Sequence, residues 1–113
     1  MSVKCAEVSP RICNDGSIRW YEGDTFILEF NLTFRDSSDN VLETTEKDEI
    51  SIVFNDKYSN VVWETKVIGT NILPIHVNEE VTKLFKVGKY TYCVKRNADF
   101  ITTLMKNNMV VVE

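Results

Sequence analysis

Five apolar side chains, Phe26, Leu28, Phe30, Leu32 and Phe34, occupy every second position of a ten-residue stretch. Ile27, Glu29, Asn31, Thr33 and Arg35 alternate with them. Strand side chains point to opposite faces in turn, whereas a helix would scatter these five around its axis. Residues 26–35 therefore read as one long strand, its aromatic and aliphatic face buried and its other, mostly polar face in water. A strand with one apolar face must bury it against a second layer of structure.

Further strands carry the same period. Ile50, Ile52 and Phe54 alternate with Ser51, Val53 and Asn55, and Val61, Trp63, Thr65 and Val67 share a face opposite Glu64 and Lys66. Tyr90, Tyr92 and Val94 alternate with Thr91, Cys93 and Lys95. Residues 41–43 form a short strand. Residues 72–77 form another, which Pro74 confines to a sheet edge because proline has no amide to donate. Two last strands, 101–105 and 109–112, flank a turn at Lys106, Asn107 and Asn108. Turn chemistry separates these pieces at Asn14-Asp15-Gly16, Glu22-Gly23-Asp24, residues 36–40, residues 55–60 and Gly69-Thr70-Asn71.

The single helical piece spans 79–86. Asn78 can cap it, Glu79 and Glu80 lie at the positive end of its dipole, and Lys86 lies near the negative end. Val81, Leu84 and Phe85 would then share one face. Two turns make a connector rather than a core helix. Strands with turn signals about every 8–12 residues give an all-β sandwich or barrel. The 113 residues make one domain, divided into an N-terminal arm and hairpin (1–21) and a β-sandwich (22–113).

With 13 basic against 17 acidic residues and a net charge of -4, nucleic acid is not an expected partner. No apolar run reaches the roughly eighteen residues of a membrane helix, and the first residues do not form a signal peptide. Membrane insertion is therefore not expected, and the protein is expected to be made and kept in a cytosol, or to leave it without a cleaved signal. Cys5, Cys13 and Cys93 are an odd number at no framework spacing, so reduced thiols are expected. No disulfide and no metal should hold the fold.

Chemistry has few candidates. His76, the one histidine, ends an edge strand with no motif around it, and a surface strand residue is the simpler reading. Three scattered cysteines with His76 do not have zinc-ligand spacing. Asp36, Asp39 and Asn40 lack the order of a calcium loop and read as a solvated turn. Glu22 with Asp24 and Glu79 with Glu80 are explained by turn and helix-start electrostatics. Asn31-Leu32-Thr33 matches a glycosylation sequon inside a strand, which is read as chance. No phosphate-cradling or nucleophile-elbow motif occurs. The expectation is a non-enzymatic chain without cofactor. Aromatics dominate recognition sites, which draws attention to Trp20, Tyr21, Tyr58 and Trp63. Trp63 fits the apolar face of its strand.

Two stretches resemble a known family. Glu22-Gly23-Asp24-Thr25-Phe26-Ile27-Leu28-Glu29-Phe30 is a Gly-Asp-Thr turn feeding an alternating strand. Leu84-Phe85-Lys86-Val87-Gly88-Lys89-Tyr90-Thr91-Tyr92 is a Leu-x-x-x-Gly-x-Tyr-x-Tyr step before another. Together they resemble the immunoglobulin-like modules of tailed-phage and prophage structural proteins, in particular the N-terminal domain of siphophage upper baseplate proteins. Gly88-Lys89-Tyr90 is similar to the tyrosine corner of immunoglobulin folds. Tyr92 stands where antibody domains have the second cysteine, so their intersheet disulfide is not implied.

The resemblance implies an immunoglobulin-like antiparallel β-sandwich with one short connecting helix. It also implies a structural or assembly role in a phage or prophage particle, at a tail, baseplate or head–tail position. Partners would be other copies of the chain, as a homo-oligomer, or neighbouring virion proteins. The partner-binding residues expected are Val3, Val8 and Ile12 of the arm, with Trp20 and Tyr21. The alternative is a bacterial immunoglobulin-like module that recognises a carbohydrate or peptide through exposed aromatics.

Overall fold

The structure, a computed structural model, describes residues 9–35, 38–42, 46–97 and 101–113; for residues 34, 42, 101, 102 and 104–107 it describes the backbone alone. The strands are β1 (Arg11–Ile12), β2 (Ile18–Trp20), β3 (Phe26–Asn31), β4 (Phe34–Arg35), β5 (Val41–Leu42), β6 (Glu49–Asp56), β7 (Val61–Ile68) and β8 (Ile72–Val77). The helix α1 (Glu79–Thr82) follows, then β9 (Gly88–Asn97) and β10 (Ile101–Val112). A six-stranded sheet has the order β1-β2-β10-β9-β6-β7. A β3-β8 pair packs over it, and β4-β5 is a small hairpin between β3 and β6.

The chain is all-β and forms a sandwich. Residues from β2, β6, β8, β9 and β10 share one core: Ile18, Trp20, Ile50, Ile52, Phe54, Leu73, Ile75, Val77, Tyr92, Val94, Val110 and Val112 are all buried. Chain order explains the two layers. The β6-β7 and β9-β10 hairpins stay in one sheet, while β8 crosses to pair with β3 and returns through α1. The corner before β9 is closed by the Tyr90 hydroxyl, which donates to the Lys86 carbonyl at 2.7 Å. A tyrosine hydroxyl bonded back to the chain in this way is the geometry of a tyrosine corner. One pair departs from the antiparallel expectation: β2 runs parallel to β10, with Ile18, Arg19 and Trp20 opposite Val110, Val111 and Val112. β2 and β10 are separated by nearly the whole chain, so no hairpin dictates their direction.

The 26–35 alternation is correct in phase but not in extent. Phe26, Leu28 and Phe30 face the core, and Glu29 and Asn31 face out. The strand ends at Asn31, opposite Ile72 where β8 begins. There Asn71 takes over, its carbonyl accepting from the Leu32 amide and its side-chain amide donating to the Leu32 carbonyl. The chain then starts β4, which pairs with β5. Pro74 lies opposite Glu29 in the two-stranded layer, as an edge assignment requires.

Other differences have local causes. β10 runs unbroken where two strands and a turn are expected. The ten residues of β9 offer it a continuous partner, and its extra residues are absorbed at register shifts between Thr103 and Met105 and between Met105 and Asn108. In β7 a shift at Phe54/Asn55 leaves Val61 exposed, while Trp63 stacks on Phe54 at 5.5 Å. The helix stops at Thr82, shorter than the expected 79–86, although Asn78 caps it by accepting from the Val81 amide at 3.0 Å. Beyond Thr82 the chain turns to insert Phe85 into the core, and Leu84 points to solvent instead of sharing that face.

β1 and β2 form a hairpin that joins the large sheet beside β10. Asp15-Gly16 makes the tight turn between them: Gly16 has φ +87°, and the Asp15 carboxylate accepts from the Ser17 amide and hydroxyl at 2.9 and 2.6 Å. Cys13 is buried and disulfide-bonded, whereas Cys93 is in no disulfide. This corrects the expectation of three reduced thiols. Bridging depends on the distance between Cα atoms in the fold, which spacing along the chain does not supply. Among the described residues, no helix is long and apolar enough to cross a membrane.

Phe54, buried at the sheet centre against Trp63, Phe85 and Tyr92, should be worth more than Phe30, which is only half-buried. Phe54→Ala is expected to cost about 3–5 kcal/mol in urea unfolding, as a buried Phe does. Phe30→Ala is expected to cost distinctly less. Equal losses would mean that the β3-β8 layer closes more tightly than described.

Candidate functional site

The expected partner residues do not stay together. Val3 and Val8 lie outside the described residues. Ile12 sits at the open edge of β1, opposite Ile18, and is exposed. Tyr21 is 49% exposed, with the Arg11 guanidinium 5.3 Å from its ring centre; Arg11 also pairs with the Glu113 carboxylate.

Trp20 is core and not surface, a correction to the expected aromatic pair. It is 1% exposed, and its ring lies 5.1 Å from Phe26 and 5.3 Å from Phe85. Consecutive strand residues point to opposite faces. Once β2 pairs with β10, Ile18 and Trp20 go in, and Trp20 and Tyr21 cannot line one surface. Met109 is exposed on β10, next to Val110, which pairs with Ile18. Tyr21 and Met109 thus lie on the outer face of the β1-β2-β10 edge, whereas Ile12, opposite the inward Ile18, is exposed on the other face at the open edge.

A second surface lies at the β6-β7 turn and the corner before β9. A cleft of about 380 Å³ is lined by Asp56, Lys57, Tyr58, Val87, Gly88, Lys89 and Tyr90. The turn is built on Asp56, whose Oδ1 accepts from the amides of Tyr58 at 2.8 Å and Asn60 at 2.9 Å. Ser59 takes a positive φ of 66° to close it. This lifts Tyr58 into solvent, 72% exposed, with the Lys57 ammonium 5.1 Å from its ring centre. Across the cleft, Val87 is 65% exposed, and its amide donates to Glu22 Oε2 at 3.0 Å. Tyr58 stands out in sequence only as an aromatic inside a turn. Val87 has no sequence signal, because its exposure follows from Phe85 turning inward.

The titratable groups of both turns serve the backbone. The hydrogen bonds from the Ser17 side chain and then its amide hold the Asp15 carboxyl below its ordinary value. The Asn60 amide foremost does the same for Asp56. Burial raises the Tyr90 and Tyr92 phenols. The Tyr92 hydroxyl donates to the Gly16 carbonyl at 2.9 Å and accepts from the Asn108 side-chain Nδ2 at 3.2 Å. Tyr92 thus ties β9 to the Asp15-Gly16 turn from the position where antibody domains have a cysteine. His76 is exposed on β8, opposite Ile27. Among the described residues no group of three or more His, Cys, Asp or Glu side chains could hold a metal ion. No protein-family model, curated protein or solved structure matches the chain.

The two turn aspartates predict an acid limb. Their folded pKa values lie below the ordinary 3.8, so the stability they contribute is complete above that value and is lost as pH falls through the folded values. The double variant Asp15→Asn, Asp56→Asn is expected to melt lower at pH 7 and to lose less on acidification towards pH 3. Parallel melting curves across pH for the two proteins would show that neither carboxylate braces its turn.

Proposed function

We propose that this chain is a non-enzymatic structural module that acts through protein–protein contacts in an assembled particle. Its similarity to immunoglobulin-like modules of tailed-phage and prophage proteins, carried by Gly23-Asp24-Thr25 and Gly88-Lys89-Tyr90, points to a tail, baseplate or head–tail position. The virion would then be its final location. The reading draws its main support from the β1-β2-β10 edge of the large sheet, where Tyr21 and Met109 on its outer face and Ile12 at its rim are exposed beside a closed core. Apolar side chains left outside a core that is already filled commonly pack on a partner. An isologous contact between copies of this side would make a homo-oligomer, provided it buries about 1,000 Å² or more.

Light scattering tests the reading. The full chain is expected to self-associate, and the pair Ile12→Asp, Tyr21→Asp to move it towards monomer without lowering its melting temperature by more than a few degrees. Both side chains are exposed, so the fold should tolerate the change. A full chain that stays monomeric at high concentration would remove the self-assembly reading. Terminase, portal or tail genes beside its gene would support the particle assignment, and their absence would count against it.

A further inference from the structure

We propose that the free edge of β7 is a self-pairing site, at which the large sheet of one copy continues antiparallel into that of a second copy. β7 ends the six-stranded sheet and, among the described residues, has a strand on one side only, β6. Its outer row of amides and carbonyls is therefore open to another strand. The far edge of the same sheet, β1, is two residues long, whereas β7 has eight residues and no proline. The register shift opposite Phe54 and Asn55 leaves a regular run from Trp63 to Ile68. The inference goes beyond the contact proposed above: it concerns the opposite edge of the sheet and does not depend on the β1-β2-β10 contact.

Symmetry and charge fix both the partner and the register. Two copies that share one sheet, with their β3-β8 layers on the same side, are related by a two-fold axis perpendicular to it. That axis makes the edge strands antiparallel and passes through one residue, which then lies opposite itself. With Thr65 on the axis, Glu64 of each copy stands opposite Lys66 of the other. Trp63 stands opposite Val67, and the exposed Ile68 opposite Val62. Opposite charges, paired threonines and an aromatic beside a β-branched residue are all favourable across strands. Moving the axis by one residue sets Glu64 against Glu64 or Lys66 against Lys66, and like charges directly opposite are destabilising. Glu49 lies 3.8 Å from the Lys66 ammonium of its own chain and stays ionised, but it sits one strand back on β6. The seam itself carries one carboxylate and one ammonium from each copy in every register. What the register decides is whether opposite or like charges meet, and only the axis at Thr65 matches them on both sides.

The test is sedimentation equilibrium of the full chain. An edge contact of this length is small, so association is expected to be weak and is followed up to high concentration. Glu64→Lys and Lys66→Glu each set like charges opposite one another at both symmetry-related positions, and each is expected to weaken association about tenfold or more. An equimolar mixture of the two variants should regain the native strength, because each supplies the charge that the other lacks. Both side chains are exposed, so the melting temperatures should hold within a few degrees. A cross-link gives a readout that does not depend on charge. Only residue 65 meets itself, so mild oxidation should join copies of Thr65→Cys in higher yield than copies of Glu64→Cys, with the native chain as the blank for Cys93. The proposal is overturned by a native chain that stays monomeric at high concentration, by single variants that associate as the native chain does, by a mixture no tighter than its components, or by equal cross-linking at the two positions. The Ile12→Asp, Tyr21→Asp variant separates the two contacts, since it should stop at a dimer paired through β7. A fall to monomer would keep the β1-β2-β10 reading and remove this one. Native-like association of that variant, abolished by adding Glu64→Lys, would remove the β1-β2-β10 contact and keep this one.

Discussion

Phe85 belongs to no strand, yet the end of the sandwich is organised around its ring. The ring lies 5.3 Å from Trp20 of β2, 5.5 Å from Phe54 of β6 and 5.2 Å from Tyr90 of β9, edge-on to each. Tilted aromatic pairs at these separations are favourable beyond the area they bury. Here they join the first, middle and late parts of the chain at one point. Phe54 extends the contact to Tyr92 and Trp63, and Tyr92 to Phe30. Through these rings both layers of the sandwich share one core.

The outer features at that end follow from the same insertion. For Phe85 to enter, the helix must stop after one turn, and the chain from Lys83 to Val87 must double back over the core. That places Leu84 and Val87 in solvent and brings the Lys86 carbonyl to the Tyr90 hydroxyl. The Val87 amide then needs an acceptor, which Glu22 supplies. The cleft beside Tyr58 is thus a consequence of how the core is closed. The opposite end is held differently, by a part-buried ion pair. Arg96, at the end of β9, donates to Asp48 at 2.8 Å just before β6. A pair of this kind matters mostly because losing one partner strands the other charge.

Neighbouring positions differ in what they can do. Strand parity sends Trp20 inward and Tyr21 outward, so one aromatic serves stability while the next is free to meet a partner. The same division separates Tyr90 and Tyr92, whose hydroxyls close a corner and a turn, from Tyr58, whose ring is left to solvent. Trp20 shows why aromatic content alone is a poor guide to recognition surfaces.

The residues by themselves determined the local period and the turns. The phase of β3, β6 and β9, the Asp15-Gly16 and Asp56–Asn60 turns, the Asn78 cap and the edge position of Pro74 all depend on interactions within a few residues. Each is therefore written in adjacent letters. Three matters depended on the tertiary structure. β2 is only three residues long, too short to show a period, so the inward turn of Trp20 waited on its pairing with Val110–Val112 at the far end of the chain. β10 runs through an apparent turn because β9 gives it a partner along its whole length. The cleft at Tyr58 and Val87 joins two turns some thirty positions apart, brought together only when the sheet aligns β6 with β9. A pattern in sequence records which face a side chain takes, but not which distant segment comes to lie beside it, and that second fact is what makes a site.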